Sequence, residues 1–360
     1  MSAPASLAPD AARALRRGLC IPAHPLALDT ARRLDERAQR ALTRYYLAAG
    51  AGGLAVGVHT TQFAIRERGL LRPVLELAVG EARGRALLVA GVLGATAQAL
   101  AEAALARELG YDLALLGFVG MPQACERELV EHARRVGEVL PLFGFYLPPA
   151  LGGRALSRGF WRELAALPAL AAIKVAPFDR YRTRDVMQGV AESGRAAEIA
   201  LYTGNDDAIV DDLLTEHRCR VGERDLRLST VGGLLGHWAV WTRSAARLFA
   251  RVRAQREAAE TGEAAETAET DAESRDLLAL GAQVTDCNAA LFDAAHGFRG
   301  CIAGVQHVLH RQGLLASAHC LEPSDVLSPG QAEAIERVRA AYPHLVDDEF
   351  VAEHRERWLG

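Results

Sequence analysis

The chain is predicted to fold as an α/β protein, a (β/α)8 TIM barrel with additional C-terminal helices, and three observations carry that expectation. Short apolar runs alternate with longer amphipathic ones about eight times along the 360 residues, as parallel strands do when helices cover them. Eight such units fill the length that a closed barrel of this kind needs, and 50% hydrophobic against 24% charged residues leaves enough apolar surface for one large core. The alternative, an open doubly wound sheet, wants a glycine-rich phosphate loop after its first strand; the residues there are Ile21-Pro22-Ala23-His24-Pro25.

Taken in order, the strands are expected at 18–21, 53–58, 86–91, 113–118, 140–146, 171–176, 199–203 and 226–235. They are short and mostly apolar because a barrel strand is buried on both faces. Between them Ala, Leu, Arg and Glu recur with helical spacing, most clearly over 29–49, 95–109 and 122–139. Asp29 is the expected cap of the first of these helices, and Asn205-Asp206 of the helix after the seventh strand, because short side-chain oxygens accept from the free N–H groups of a first turn. At 254–274 the pattern breaks. Glu257, Glu260, Glu263, Glu266 and Glu269 recur every third residue with no apolar stripe, which reads as a solvated helix or a mobile insertion. Helical spacing returns over 277–315 and 329–341. The expected division is a catalytic barrel at 1–253, an acidic low-complexity insertion at 254–275 and a helical extension at 276–360.

Composition removes several classes of function. A formal net charge of −4 gives no basic excess to attract nucleic acid or an anionic membrane. Residues 1–10 lack the basic and apolar parts of a secretory leader, and no apolar stretch is long enough to cross a bilayer. The six cysteines, Cys20, Cys125, Cys219, Cys287, Cys301 and Cys320, form no spaced framework, so reduced thiols in a cytoplasmic protein are expected. A metal site is not expected: His307 and His310 can share a helix face, but Asp206 and Asp207 belong to another part of the fold and suit a helix's first turn.

The charge count hides a sharper signal. Of the 41 basic residues, only Lys174 is a lysine. It lies in Leu170-Ala171-Ala172-Ile173-Lys174-Val175-Ala176-Pro177, an apolar strand that Pro177 ends. An ammonium buried there loses hydration, and its pKa falls to avoid the cost. A neutral lysine is a nucleophile able to form a Schiff base with a ketone or aldehyde. Near the C-terminal end of a barrel strand it faces the mouth where barrel active sites are built. Arginine serves wherever a generic cation suffices; a Schiff base demands a primary amine.

Such a lysine needs company: a proton shuttle and donors for a carboxylate. At the end of the fifth strand, Phe143-Gly144-Phe145-Tyr146-Leu147-Pro148-Pro149 offers the phenol of Tyr146. At the end of the second, Gly57-Val58-His59-Thr60-Thr61 offers two hydroxyls and two backbone N–H groups that can hold a carboxylate.

The order Gly-x-His-Thr-Thr, Tyr-x-x-Pro, Ile-Lys and Gly204-Asn205-Asp206-Asp207 resembles the dihydrodipicolinate synthase / N-acetylneuraminate lyase family of class I, Schiff-base aldolases. Val89-Ala90-Gly91-Val92, Gly232-Gly233-Leu234-Leu235 and Gly300-Cys301-Ile302-Ala303-Gly304 add to the likeness, which spans nearly the whole chain except the acidic segment. The resemblance implies a (β/α)8 barrel with three C-terminal helices, homo-oligomers (dimers or tetramers), and no cofactor. It implies an imine between Lys174 and pyruvate or a related 2-oxo acid, with an aldehyde as the other reactant. Proton relay falls on Tyr146 and Thr60, and carboxylate binding on Thr60 and Thr61. Gly204 is carried over as a substrate-binding position.

Departures mark a divergent member. The family's usual Gly-Thr-Thr-Gly-Glu reads His59-Thr60-Thr61-Gln62-Phe63. The tyrosine many members place after strand four is absent from Leu116-Gly117-Phe118-Val119-Gly120, and the arginine that follows Tyr-x-x-Pro in the synthases aligns with Ala150-Leu151. This argues against the lysine-biosynthetic reaction. His59 and His237, at the mouths of strands two and eight, are candidates for altered specificity, and structural histidines are the plainer reading of both. Two functions remain: a lyase or aldolase acting on a 2-oxo acid, and a non-catalytic relative kept as a 2-oxo-acid binding or assembly module.

Overall fold

A computed structural model describes residues 4–261 and 268–360. Eight parallel strands form the barrel: β1 (Cys20–Pro22), β2 (Gly53–Val56), β3 (Leu87–Val92), β4 (Leu113–Leu116), β5 (Leu142–Tyr146), β6 (Leu170–Val175), β7 (Ala200–Thr203) and β9 (Arg224–Leu235). They pair in the order β1-β9-β7-β6-β5-β4-β3-β2. A parallel bridge between Ala23 and Ala55 brings the two ends together, with the His24 N–H donating to the Ala55 carbonyl at 2.8 Å.

Side chains on these strands divide by parity, as the pleat requires. Ile21, Ala55, Val89, Leu115, Phe143, Phe145, Ala172, Tyr202 and Leu234 meet inside the barrel. Leu54, Val56, Leu88, Leu116, Tyr146, Ile173, Val175 and Leu235 face the helical layer instead. That layer comprises α2 (Glu36–Ala49), α3 (Leu71–Ala82), α4 (Thr96–Leu109), α5 (Glu126–Gly137), α6 (Arg158–Ala165), α7 (Arg180–Glu192), α8 (Ile209–Leu214) and α9 (Thr242–Thr261).

Four details differ from the sequence reading. The first barrel helix begins at Glu36, where the Asp35 carboxylate accepts from the Ala38 N–H at 3.0 Å; Asp29 instead folds its own turn, accepting from Ala31 and Arg33. Asn205 and Asp206 do not cap α8, which starts behind Ala208, because both side chains are engaged elsewhere. An extra strand, β8 (Glu216–Val221), pairs antiparallel with the start of β9 across a turn at Gly222. Lastly α1 (Pro9–Arg17) precedes the barrel and closes its lower end: Leu7, Ala11 and Leu15 join the interior, and the Tyr202 hydroxyl donates to the Leu15 carbonyl at 2.8 Å.

Of the acidic segment, 254–261 complete α9 and 268–274 open α10 (Ala268–Leu291), while 262–267 lie outside the described residues. The helical run expected at 277–315 is broken. Between α10 and α11 (Cys301–Arg311), Asp293, Gly297 and Phe298 adopt left-handed backbone conformations, and the buried Asp293 carboxylate accepts from Gly300 N–H and Ser328 Oγ. This loop swings Phe292 and Phe298 over the barrel mouth. Then α12 (Gln331–Ala341) and α13 (Asp348–Leu359) return to the side of the barrel, where Tyr45 donates to Asp347 at 2.7 Å and Trp358 packs on Tyr45. No helix among the described residues is long and apolar enough to cross a membrane.

Candidate active site

A cleft opens at the C-terminal ends of the strands, and Lys174 lies in it beside His59, Thr60, Gly204, Asp206 and Cys301. Aromatic and aliphatic walls come from Phe145, Leu147, Phe178, Phe292 and Phe298. The C-terminal extension is therefore part of the site, contributing Phe292, Phe298 and Cys301.

Lys174 points inward from β6, opposite Phe145 on β5 and Tyr202 on β7. Its ammonium nitrogen stands 4.4 Å from the centroid of the Phe145 ring, a cation–π contact. Burial pulls its pKa from 10.5 to about 8, with the charge of Asp206 pulling the other way. Gly204 makes room for it: a Cβ there would come within 2.5 Å of Lys174 Cε and 2.7 Å of the Ala176 methyl.

Asp206 follows β7 directly. Its carboxylate accepts from the His237 N–H at 3.2 Å, and its own carbonyl accepts from Asn288 Nδ2 at 2.6 Å. Burial lifts its pKa to about 7, against the opposing effects of Lys174 and the His237 N–H. Next to it Asn205 ties its loop to two neighbours: its Oδ1 accepts from the Phe178 N–H at 3.0 Å, and its Nδ2 donates to Asp212 of α8 at 2.8 Å. Phe178 is held there with a left-handed backbone (φ 52°), which a bulky residue adopts only under such restraint. This holding job is why neither side chain is free to cap α8.

Each sequence-derived candidate has a definite place. Lys174, His59, Thr60 and Gly204 come together in the cleft. The His59 ring stands edge-on to Phe63, and burial followed by the nearby Lys174 charge lowers its pKa to about 4, so it is neutral at pH 7. Thr60 and Thr61 occupy a single turn of 3-10 helix, His59–Thr61. The Thr60 hydroxyl donates to the Ala23 carbonyl at 2.8 Å and the Thr61 hydroxyl to that of His24 at 2.6 Å; Thr61 Oγ1 also accepts from Gly57 and Val58 N–H. Both hydroxyl protons are thus spent on shaping the turn rather than offered to a ligand, and Thr61 is fully buried beneath it.

Besides Thr61, which is buried beneath the turn and does not line the cleft, two candidates are turned away from the lysine, and these expectations are corrected here. Tyr146 sits one residue beyond Phe145, so the pleat turns it outward. It is fully buried against Trp161 at 4.9 Å, and its hydroxyl accepts from Leu156 N–H at 3.3 Å and from Arg182 Nη1 at 3.4 Å. The His237 ring likewise faces away, into a separate apolar recess with Trp238 and Phe249, where burial lowers its pKa to about 4. Only its backbone N–H serves the site. Conversely, sequence reasoning treated Asp206 as a helix cap and named none of Phe145, Phe178 or Phe298 for the site. Among these, the position of Asp206 just past a barrel strand was the available signal.

Comparison with known proteins agrees with this architecture. A family model described as the dihydrodipicolinate synthetase family matches residues 18–217. An N-acetylneuraminate lyase from Citrobacter koseri is 29% identical over 200 residues, covering 54% of this chain and 64% of the relative. Its namesake from Escherichia coli is 29% identical over 192 residues, covering 52% and 62%. The chain thus spans a little under two thirds of the length of these curated relatives. Among solved structures, dihydrodipicolinate synthase from Oceanobacillus iheyensis superposes with a TM-score of 0.71 at 21% identity, over 93% of this chain and 99% of that one. N-acetylneuraminate lyase from Fusobacterium nucleatum gives 0.70 at 15% identity, over 91% and 99%. The structural likeness establishes the barrel and its C-terminal helices, and with the family match over more than half its length the chain belongs to the dihydrodipicolinate synthetase family.

Proposed function

We propose that this protein is a lysine-dependent lyase that forms a Schiff base with pyruvate or a related 2-oxo acid, for aldol cleavage, aldol condensation or dehydration, outside lysine biosynthesis. Lys174 carries the reading: the chain's one lysine lies on the cleft floor at the end of β6, its stem seated against Gly204 and its amine lowered toward neutrality. At pH 7–8 an appreciable fraction of such an amine is unprotonated and can attack the keto carbon. The iminium that follows withdraws electrons from the adjacent C–C bond, so the reading calls for no metal or cofactor.

The turn at His59–Thr61 is the natural seat for the substrate carboxylate, because the first N–H groups of a helical turn have no partner within it. Thr60 and Thr61 serve by fixing that turn through their bonds to the Ala23 and His24 carbonyls. An adjoining recess shares Phe145 and Leu147 with the cleft and carries Arg154, whose Nη1 donates to the Ala124 carbonyl at 2.6 Å. An aldehyde with an apolar body and an acidic end suits it. A cytoplasmic location rests on the scattered, unpaired cysteines, and a homo-oligomer on the resemblance.

Reduction with borohydride in the presence of pyruvate tests the reading. A covalent adduct on the peptide containing Lys174 is expected, and Lys174→Arg should abolish it while keeping the charge. One observation favours a second reading, a 2-oxo-acid binding or assembly module: the phenol of Tyr146 is turned away from the lysine. No adduct with pyruvate or a panel of 2-oxo acids would decide for that module.

A further inference from the structure

We propose that Asp206 is a catalytic residue, the carboxyl group that moves protons during imine formation at Lys174, in the role the outward-turned Tyr146 leaves open. The proposal rests on the Schiff-base reading above and deepens it. A proton carrier must line the cleft, reach the lysine's reacting atoms and change charge readily. Tyr146 fails the first condition. Thr60 lines the cleft, but its proton is bound to the Ala23 carbonyl. His59 lies in the cleft as a neutral ring, and burial pushes the Cys301 thiol well above its ordinary range. Phe145, which covers the amine, carries no proton to exchange.

Asp206 is the carboxyl group in the cleft whose charge acts on Lys174, close enough to serve a substrate held between the two. It lines the same cleft as Lys174, and one oxygen is fixed by the His237 N–H. The other oxygen, Oδ2, lies beside Gly236, where a Cβ would stand 3.9 Å away, and next to it the Phe292 ring closes that side of the cleft. The charged and titratable groups around it are Lys174 on β6, Asp207 beside it and Cys301 on α11. With Asp206 near 7 and Lys174 near 8, moving one proton from the amine to the carboxylate through the substrate or cleft water costs little.

The steps balance with these two groups, the substrate and cleft water. One proton moves from the ammonium to the carboxylate by way of cleft water, giving a neutral amine and a carboxylic acid. The amine's lone pair bonds to the keto carbon, and the C=O pair moves onto oxygen. Asp206 protonates that oxygen and takes the extra proton from nitrogen, leaving the neutral carbinolamine. It then delivers that proton to the hydroxyl as the C–O bond breaks. Water departs, the iminium remains, and the carboxylate is regenerated.

The experiment times adduct formation by the full chain with pyruvate, quenching with borohydride and reading intact mass across pH 5.5–9.5. The wild-type rate should be bell-shaped, falling below about 7 and above about 8 as the pair gains or loses a proton. Asp206→Asn keeps the acceptor for the His237 N–H but cannot carry a proton. It should slow the adduct about 100-fold and abolish the alkaline fall, and Asp206→Glu should recover part of the rate. An Asp206→Asn rate within threefold of wild type, with the bell intact, overturns the proposal. If that variant does not fold, a wild-type rate that climbs to a plateau above pH 8 overturns it equally. A wild type that forms no adduct at all sinks the Schiff-base reading instead.

Discussion

β5 and β6 lie side by side, Phe145 opposite Lys174 and Tyr146 opposite Val175. On β6 the chemically active side chain faces inward and its apolar neighbour outward; on β5 the order is reversed. The outcome is an amine covered by a benzene ring in the cleft and a phenol buried among helices. The difference teaches that a residue's type counts only together with its parity on the strand. A shift of one position moves a side chain about as far from the chemistry as a deletion would.

The harshest way to break this comparison is to shift the amine by one residue. Exchanging the two side chains, Lys174→Val with Val175→Lys, places an ammonium in the apolar layer behind β6. The borohydride adduct with pyruvate should vanish, and denaturant unfolding should register a loss of about 3–5 kcal/mol, the cost of a buried charge without a partner. An adduct surviving in that double variant would mean that parity does not govern this site.

Gly204→Ala is a subtler displacement. The backbone of Gly204 tolerates a side chain, but the new methyl would meet Lys174 Cε at 2.5 Å and Ala176 Cβ at 2.7 Å, so the lysine stem must move. A nucleophile shifted by about 1 Å loses on the order of 100-fold in rate. Timed trapping should show that loss with the protein still folded.

Much of this was legible in the chain. Strands buried on both faces announce themselves as continuous apolar runs, and all eight barrel strands fall within a few residues of where those runs lie. The β8 hairpin escaped notice because its alternation is built from charged residues, with Glu216, Arg218 and Arg220 exposed and Cys219 buried. At the site, Lys174, His59, Thr60 and Gly204 follow from strand ends. Tyr146 did not, because two prolines in a row make the spacing ambiguous: Tyr146-x-x-Pro149 and Phe145-x-x-Pro148 both fit. Only the register against β6 chooses between them. Phe298 and Cys301 come from more than 120 residues beyond Lys174, and no local pattern announces that α10 and α11 part to send them back over the mouth.

A single lysine also makes the β6 side of the comparison measurable through stability. The folded pKa of Lys174 is about 8 against 10.5 unfolded. Between those values the unfolded chain holds a proton that the folded one has released, so this residue's contribution to stability rises with pH across the window. Since Lys174 as a whole is only half-buried, about 1–2 kcal/mol is expected over pH 8–10 rather than the full shift. The buried thiols push the opposite way, but equally in Lys174→Met. The difference between wild type and that variant, from urea melts at each pH, should therefore climb by this amount. A flat difference would mean that Lys174 is not desolvated.

The smallest expected effect falls on the other strand. Tyr146→Phe removes a hydroxyl that accepts from Leu156 N–H at 3.3 Å and Arg182 Nη1 at 3.4 Å, both at the long end of hydrogen bonding. The ring and its packing on Trp161 stay. Stability should fall by about 0.5–1.5 kcal/mol, the usual worth of such a bond. Because the phenol lies behind the strand, the rate of adduct formation with pyruvate should stay within about twofold of wild type, the scale of a merely structural change. A drop comparable to that of Asp206→Asn would return the tyrosine to the chemistry and require β5 to turn in solution, exchanging Phe145 for Tyr146 over the amine.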